Sequence, residues 1–255
     1  AIAIVSPVWP AHNLIQNCRV SHYAGGWCTA IFFVAKIPES QPSPNEINVM
    51  VRNNEVFLDA PDLTRGAEGA YGGGDMQNVI FQNNYSWKAT CGFNIDTGTP
   101  RNLVMENNTF SNCSGVGITI RAIQSQYYMR NVIIKNNTIS LLPIGNVTYG
   151  TSIGSDHSPY PDDGTCTDVH ITGNTFYCSA PIPKNAAAYS IRVYDLTRLT
   201  VVNNSIEKTI PAQLLQGFHD LTLSGNVDLG GNPFPGLQTI PVLPPSKAPV
   251  IPLPR

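Results

Sequence analysis

The chain is short of charge and favours neither sign. Only 13% of its 255 residues are charged, and 15 Lys and Arg nearly balance 17 Asp and Glu. That leaves no basic surface for nucleic acid. No apolar run approaches the roughly 18 residues of a membrane span, so no membrane partner is expected. No signal peptide is visible, and the chain begins with Ala1 rather than Met. It reads as a processed product or a fragment whose first residues continue a fold begun upstream. The six cysteines (Cys18, Cys28, Cys91, Cys113, Cys166 and Cys178) lack paired CxxC spacing. A zinc site is therefore not expected, and neither is any other metal or cofactor. An even count permits disulfides, but small buried apolar thiols are the favoured reading.

What the chain has is apolar residues, 42% of the total, and a repeat. "NVIFQNNYS" (78–86), "NLVMENNTF" (102–110), "NVIIKNNTI" (131–139) and "DVHITGNTF" (168–176) each spell a strand and then an Asn pair or Gly-Asn. Anchored on the second residue of that pair, the repeat marks Asn54, Asn84, Asn108, Asn137, Asn174, Asn204 and Asn226, with Cys18 in the same place in "LIQNCRV". Spacings run from 22 to 37 residues, as for a solenoid turn with loops of variable length.

Before each anchor, apolar residues alternate with period two. Val49/Val51, Val79/Phe81, Leu103/Met105, Val132/Ile134, Val169/Ile171, Leu199/Val201 and Leu221/Leu223 should face inward. After the anchor a further apolar residue (Val56, Phe110, Ile139, Phe176, Ile206) starts a second strand. Asn suits the sharp bend between them, because it tolerates a left-handed backbone. Stacked on identical bends, the amides can bond one another in a ladder. A second repeat lies upstream: "GFNID" (92–96), "GITIR" (117–121), "GTSIG" (150–154) and "AYSIR" (188–192). It predicts that Ile95, Ile120, Ile153 and Ile191 stack inside. Asp75 and the glycines at 72–74 read as a loop.

These repeats resemble the coils of a right-handed parallel β-helix of the pectin-lyase-like kind, over about residues 12–229. The implied fold is all-β, a solenoid of about 7–8 coils spanning 1–229. Residues 230–255 would be an extended Pro-rich tail packing on the helix or on a neighbouring subunit. The resemblance implies action on polysaccharide, as in pectin and alginate lyases, polygalacturonases, uronate epimerases and phage tailspike depolymerases. An extracellular or virion-surface location goes with it, as does a homo-oligomer, a trimer if tailspike-like.

The predicted register sets polar columns on an outer face: Asn94, Thr119, Ser152 and Ser190, then Asp96, Arg121, Gly154 and Arg192, with Tyr194 beyond. The longest insert, "SDHSPYPDDGTCTD" (155–168), carries Asp156, His157, Asp162 and Asp163. Asp59 and Asp62 form a second acidic segment. The elements "NID", "DDG" and "IRV" echo polygalacturonase motifs, but His157 precedes the Asp pair without flanking glycines and no Lys follows Arg192. No calcium-binding carboxylate cluster of the pectate-lyase type is recognisable.

Three functions follow. Asp96, Asp156, Asp162 and Asp163 supply candidates for the paired carboxylates of glycoside hydrolysis. His157 with Arg121 and Arg192 would instead serve a lyase or epimerase, as base and as partners of a uronate. A non-catalytic spacer or glycan-binding domain of a fibre or virion is the third. In each, Arg121, Arg192, Tyr194 and Asn94 are candidate glycan contacts.

One outward column is apolar where it should meet water. Met50, Ile80, Val104 and Ile133 occupy it in successive coils before His170, Thr200 and Thr222 take over. A stripe of that length calls for a cover. The tail is one candidate, since its eight prolines between 232 and 255 are interspersed with Ile240, Val242, Leu243, Val250, Ile251 and Leu253.

Overall fold

Each alternating stretch becomes a strand, and each Asn bend a corner, in the computed structural model of the chain. It describes residues 2–6, 13–23, 29–35, 47–58, 69–95, 99–122, 129–144, 147–155, 166–194, 196–215 and 219–234. Eight coils stack into three parallel sheets. Sheet A comprises Ile2–Ser6, Thr29–Ala35, the first part of Gly69–Gln82, Cys91–Ile95, Val116–Ala122, Val147–Ser155, Ala187–Tyr194 and Gln213–Leu215. Sheet B comprises Asn13–Gln16, Val49–Arg52, the rest of Gly69–Gln82, Arg101–Glu106, Met129–Lys135, Cys166–Thr172, Thr197–Val202 and His219–Ser224. Sheet C comprises Arg19–Tyr23, Glu55–Leu58, Tyr85–Trp87, Thr109–Cys113, Thr138–Leu141, Thr175–Cys178, Ser205–Ile206 and Val227–Asp228. Among the described residues no helix is long and apolar enough to cross a membrane.

The core is the interior of this stack. The predicted inward pairs of sheet B are fully buried from Val49/Val51 to Leu199/Val201, and Leu221 and Leu223 pack on the same core at the last coil. Sheet C contributes Val56, Phe110, Ile139, Phe176 and Ile206, all fully buried. Phe81 sits at the centre of an aromatic cluster, with Phe93 at 4.9 Å and Tyr71 at 5.0 Å between ring centroids. The glycines that open "GFNI", "GITI" and "GTSI" are small for a reason. A Cβ on Gly92 would lie 2.7 Å from a ring carbon of Phe110, one on Gly150 2.5 Å from Phe176, and one on Gly117 would collide with Ile139. Sheet C side chains press against that backbone, which leaves no room for a Cβ.

The B–C corner divides between two residues the work assigned above to one. The first of each pair takes the left-handed backbone, as at Asn53, Asn83, Asn107, Asn136 and Asn203, with φ between 54° and 56°. Gly173 and Gly225 replace it where the pair is Gly-Asn. The second is the ladder residue. The backbone N–H and Nδ2 of Asn54, Asn84, Asn108, Asn137, Asn174 and Asn204 both donate to Oδ1 of the next coil's Asn, at 2.8–3.1 Å. Nδ2 also donates to a sheet B carbonyl of the preceding coil, Phe81 O at 3.0 Å for Asn108. Cys18 does hold the first rung, where its N–H donates to Asn54 Oδ1.

The A–B corner carries a second ladder. Asn78, Asn102, Asn131, Asp168, Arg198 and Asp220 all have φ between 52° and 59°. Asn102 donates to Asn78 Oδ1 at 2.7 Å and Asn131 to Asn102 Oδ1 at 2.9 Å. Further along, Arg198 grips both carboxylate oxygens of Asp168 at 2.6 Å. That guanidinium, ahead of the remaining contacts, holds the Asp168 carboxyl below its ordinary range.

The loop expected at Asp75 and the glycines before it is part of a strand, Gly69–Gln82, that runs without interruption from sheet A into sheet B. Close packing requires glycine there, because a Cβ on Gly72 would lie 2.8 Å from Asn94 O and one on Gly73 would collide with Phe33 O. Asp75 accepts bonds from the N–H and hydroxyl of Thr99 at the next coil's corner.

The last coil is capped by its own chain. Asp228 Oδ1 accepts the N–H groups of Gly230 and Asn232, and Lys208 Nζ lies 2.8 Å from Oδ2. Lys208 first, then these amides, hold the Asp228 carboxyl far below its ordinary range. Phe234, 3% exposed, closes the core, and its N–H donates to Asn226 O. Of the described cysteines, Cys113 and Cys166 are buried, and Cys18, Cys91 and Cys178 are half-buried.

Candidate functional site

Sheet A positions the candidate site, so its register decides which side chains meet. Ile95, Ile120 and Ile153 do stack inside as neighbours. The fourth strand departs from the prediction, because Ile153 pairs with Val193 and Ile191 pairs with Thr151. The strand is displaced by two residues. Ile191 still faces inward and is fully buried, since a two-residue shift preserves the alternation. The outward columns change. One now reads Gly72, Asn94, Thr119, Ser152, Arg192. In the next, Arg121 pairs with Gly154 and Gly154 with Tyr194. Arg192 therefore does not share a column with Arg121, and Ser190, expected beside Ser152, is fully buried.

The same shift pairs Tyr149 with Tyr189, two residues that the periodic alignment keeps apart. Their rings stack at 5.7 Å between centroids and 19° between planes. The Arg192 guanidinium lies over the Tyr149 ring, 4.9 Å from its centroid. Such a contact draws the cation to the ring face. All three side chains are half-buried, with the hydroxyls of Ser152 and Thr119 beside them in the Arg192 column. Aligning "TYGTSI" with "AAYSIR" on tyrosine instead of on isoleucine would have found this pair.

Arg121 and Arg192 are the basic side chains of this outer face among the described residues. On strand geometry, two coils and two residues separate their Cα atoms by about 12 Å. Asn94 is half-buried in the Arg192 column. Tyr194 belongs to the same strand as Arg192. The proposed acids and base, Asp96, Asp156, His157, Asp162 and Asp163, lie outside the described residues, as do Asp59 and Asp62. Among the described residues no group of three or more His, Cys, Asp or Glu could hold a metal ion.

What the described part of the face presents is two arginines and a stacked tyrosine pair with hydroxyl and amide neighbours on a parallel β-helix. The chain belongs to the right-handed β-helix family, whose model, a right handed beta helix region, matches residues 8–232. Among solved structures it resembles two mutant forms of the tailspike protein of E. coli bacteriophage HK620, each in complex with a pentasaccharide. Identity is 14% in both, with TM-scores of 0.58 and 0.57. The match covers 86% of this chain and 38% of the tailspike, so the chain spans well under half of that protein. No curated protein matches the chain.

Proposed function

We propose that this β-helix binds an anionic polysaccharide on the outer face of sheet A and cleaves it by glycosidic hydrolysis. The observation that carries the binding half is the Arg192–Tyr149–Tyr189 assembly. A fixed guanidinium suits a sugar carboxylate in bidentate fashion, and tyrosines offer an apolar body with a hydroxyl tip. Arg121, Asn94, Ser152 and Thr119 add donors and acceptors along the same face. The tailspike with a bound pentasaccharide has the same fold and lends the glycan reading its analogy.

The hydrolytic half rests on the acids that flank this face in the sequence. Asp96 follows Ile95 directly, and Asp156 follows Ser155, at the ends of two sheet A strands. Hydrolysis needs two carboxylates roughly 5–9.5 Å apart, one of them protonated as the acid. Asp162 and Asp163 are the alternative members of the pair. A polysaccharide outside the cell implies an extracellular or virion-surface setting.

The test is incubation with a panel of acidic capsular and cell-wall polysaccharides. New reducing ends are expected from the native chain, and their loss with retained binding from Asp96→Asn or Asp156→Asn. Unsaturated uronate products would replace hydrolysis with elimination. Binding without either product would leave a glycan-binding module.

A further inference from the structure

The apolar column of sheet B is longer than the sequence alone indicates. Leu14, Met50, Ile80, Val104 and Ile133 stand in register on five successive coils, each paired to the next. Met50, Ile80, Val104 and Ile133 each stand between two fully buried residues, and Leu14, beside the buried Ile15, is 48% exposed. From the sixth coil the column turns polar, at His170, Thr200 and Thr222.

We propose that residues 240–246 of this chain's own C-terminal segment lie along that stripe, running from the last coil back toward the first. Three observations point to this occupant. The first is the exit. Pro233 bridges Val227 and the Phe234 N–H donates to Asn226 O, so the chain leaves the eighth coil at the corner that borders sheet B. The second is length. Ile133 lies three coils back, about 14 Å along the axis, and four residues across from that corner, about 13 Å. The direct path is roughly 19 Å, and six residues of polyproline II at about 3.1 Å each cover it, which brings Ile240 to Ile133. The third is period. Ile240 and Leu243 stand three residues apart, one polyproline II turn of about 9.3 Å. Two coils span about 9.6 Å. Successive turns of the segment therefore meet alternate rungs, with Leu243 at Ile80 when Ile240 is at Ile133, and the next residues, Pro244 and Pro245, fall over Met50. Pro241, Pro244 and Pro245 favour that conformation within the segment and interrupt any hydrogen-bonded strand it could add.

Methionine oxidation tests this in the full chain. Of the four methionines, Met50 stands on the stripe, while Met76, Met105 and Met129 are fully buried and report whether the helix stays folded. Limited peroxide treatment read by mass spectrometry should oxidise Met50 at least several-fold faster in Ile240→Asp/Leu243→Asp than in the native chain. The three core methionines should stay slow in both. The conservative Ile240→Val/Leu243→Met pair should keep native protection of Met50. Protection in the native chain should not change on hundredfold dilution. Equal Met50 rates in native and Asp variants would overturn the proposal. Protection lost on dilution would overturn it as well and assign the stripe to a second copy.

Discussion

Two adjacent, chemically identical side chains should differ about fourfold in what they contribute to stability. Asn107 and Asn108 sit side by side at one B–C corner. The side chain of Asn108 is buried and makes four hydrogen bonds. Nδ2 donates to Phe81 O at 3.0 Å and to Asn137 Oδ1 at 2.8 Å. Oδ1 accepts from Asn84 N at 2.9 Å and Asn84 Nδ2 at 3.1 Å. At about 1 kcal/mol net for each, Asn108→Ala should cost about 4 kcal/mol. For a chain of this size that is a fall in melting temperature of roughly 8–16 °C. Asn107 is exposed, and its role is the left-handed backbone at φ 56°. Asn107→Ala should cost about 1 kcal/mol, because alanine lacks the local side-chain hydrogen bonding by which Asn tolerates that conformation, and Asn107→Gly close to nothing. Equilibrium urea unfolding, followed by circular dichroism and by tryptophan fluorescence, gives the three values where the two transitions coincide. Equal losses for Asn107→Ala and Asn108→Ala would refute the division of labour at the corner. So would a loss below about 1 kcal/mol for Asn108→Ala.

Two further predictions concern pH. The Asp228 carboxyl has a folded pKa far below its unfolded value near 3.9. Its contribution is therefore present above that unfolded value and lost only as pH falls through the depressed one. Hydrogen exchange at the Phe234 amide should remain slow at pH 4 and become fast at neutral pH in Asp228→Asn; loss of protection at pH 4 in the native chain would contradict the cap. The Asp168–Arg198 pair is largely exposed, so Arg198→Ala should cost under about 1 kcal/mol at pH 7. That cost should vanish as acid protonates Asp168, and unfolding curves at pH 7 and pH 2 will show whether it does.

The sequence makes the fold legible because the solenoid repeats its constraints. An anchor Asn on seven coils, each preceded by an inward pair, leaves one way to stack them. The errors have physical sources. The two-residue displacement of Ala187–Tyr194 keeps every inward residue inward, so the alternation cannot detect it; only the Tyr149–Tyr189 pair reports it. The A–B ladder is written in the same lines, as the Asn or Asp that opens "NVIF", "NLVM", "NVII" and "DVHI". The corner at Asn-Asn draws attention away from it, and Arg198 continues the ladder with a residue unsuited to left-handed backbone. Glycines 72–74 look like a loop because glycine usually marks one, whereas here it lets Gly69–Gln82 pass close to Phe33 and Asn94. The candidate face was half legible. Arg121, Arg192 and Asn94 lie on the predicted face, while Tyr149 and Tyr189 require the true register.

Glycan binding at the outer face of sheet A is tested most directly on an array of acidic and neutral polysaccharides. The comparison is between the native chain, Tyr149→Ala, Arg192→Ala and a sheet B control, Val104→Ser. Selective binding of acidic glycans by the native chain and the control, with loss of at least tenfold in affinity for Arg192→Ala and Tyr149→Ala, is the expected result. Binding that survives both sheet A substitutions unchanged, or no binding by the native chain to any acidic glycan, would contradict it.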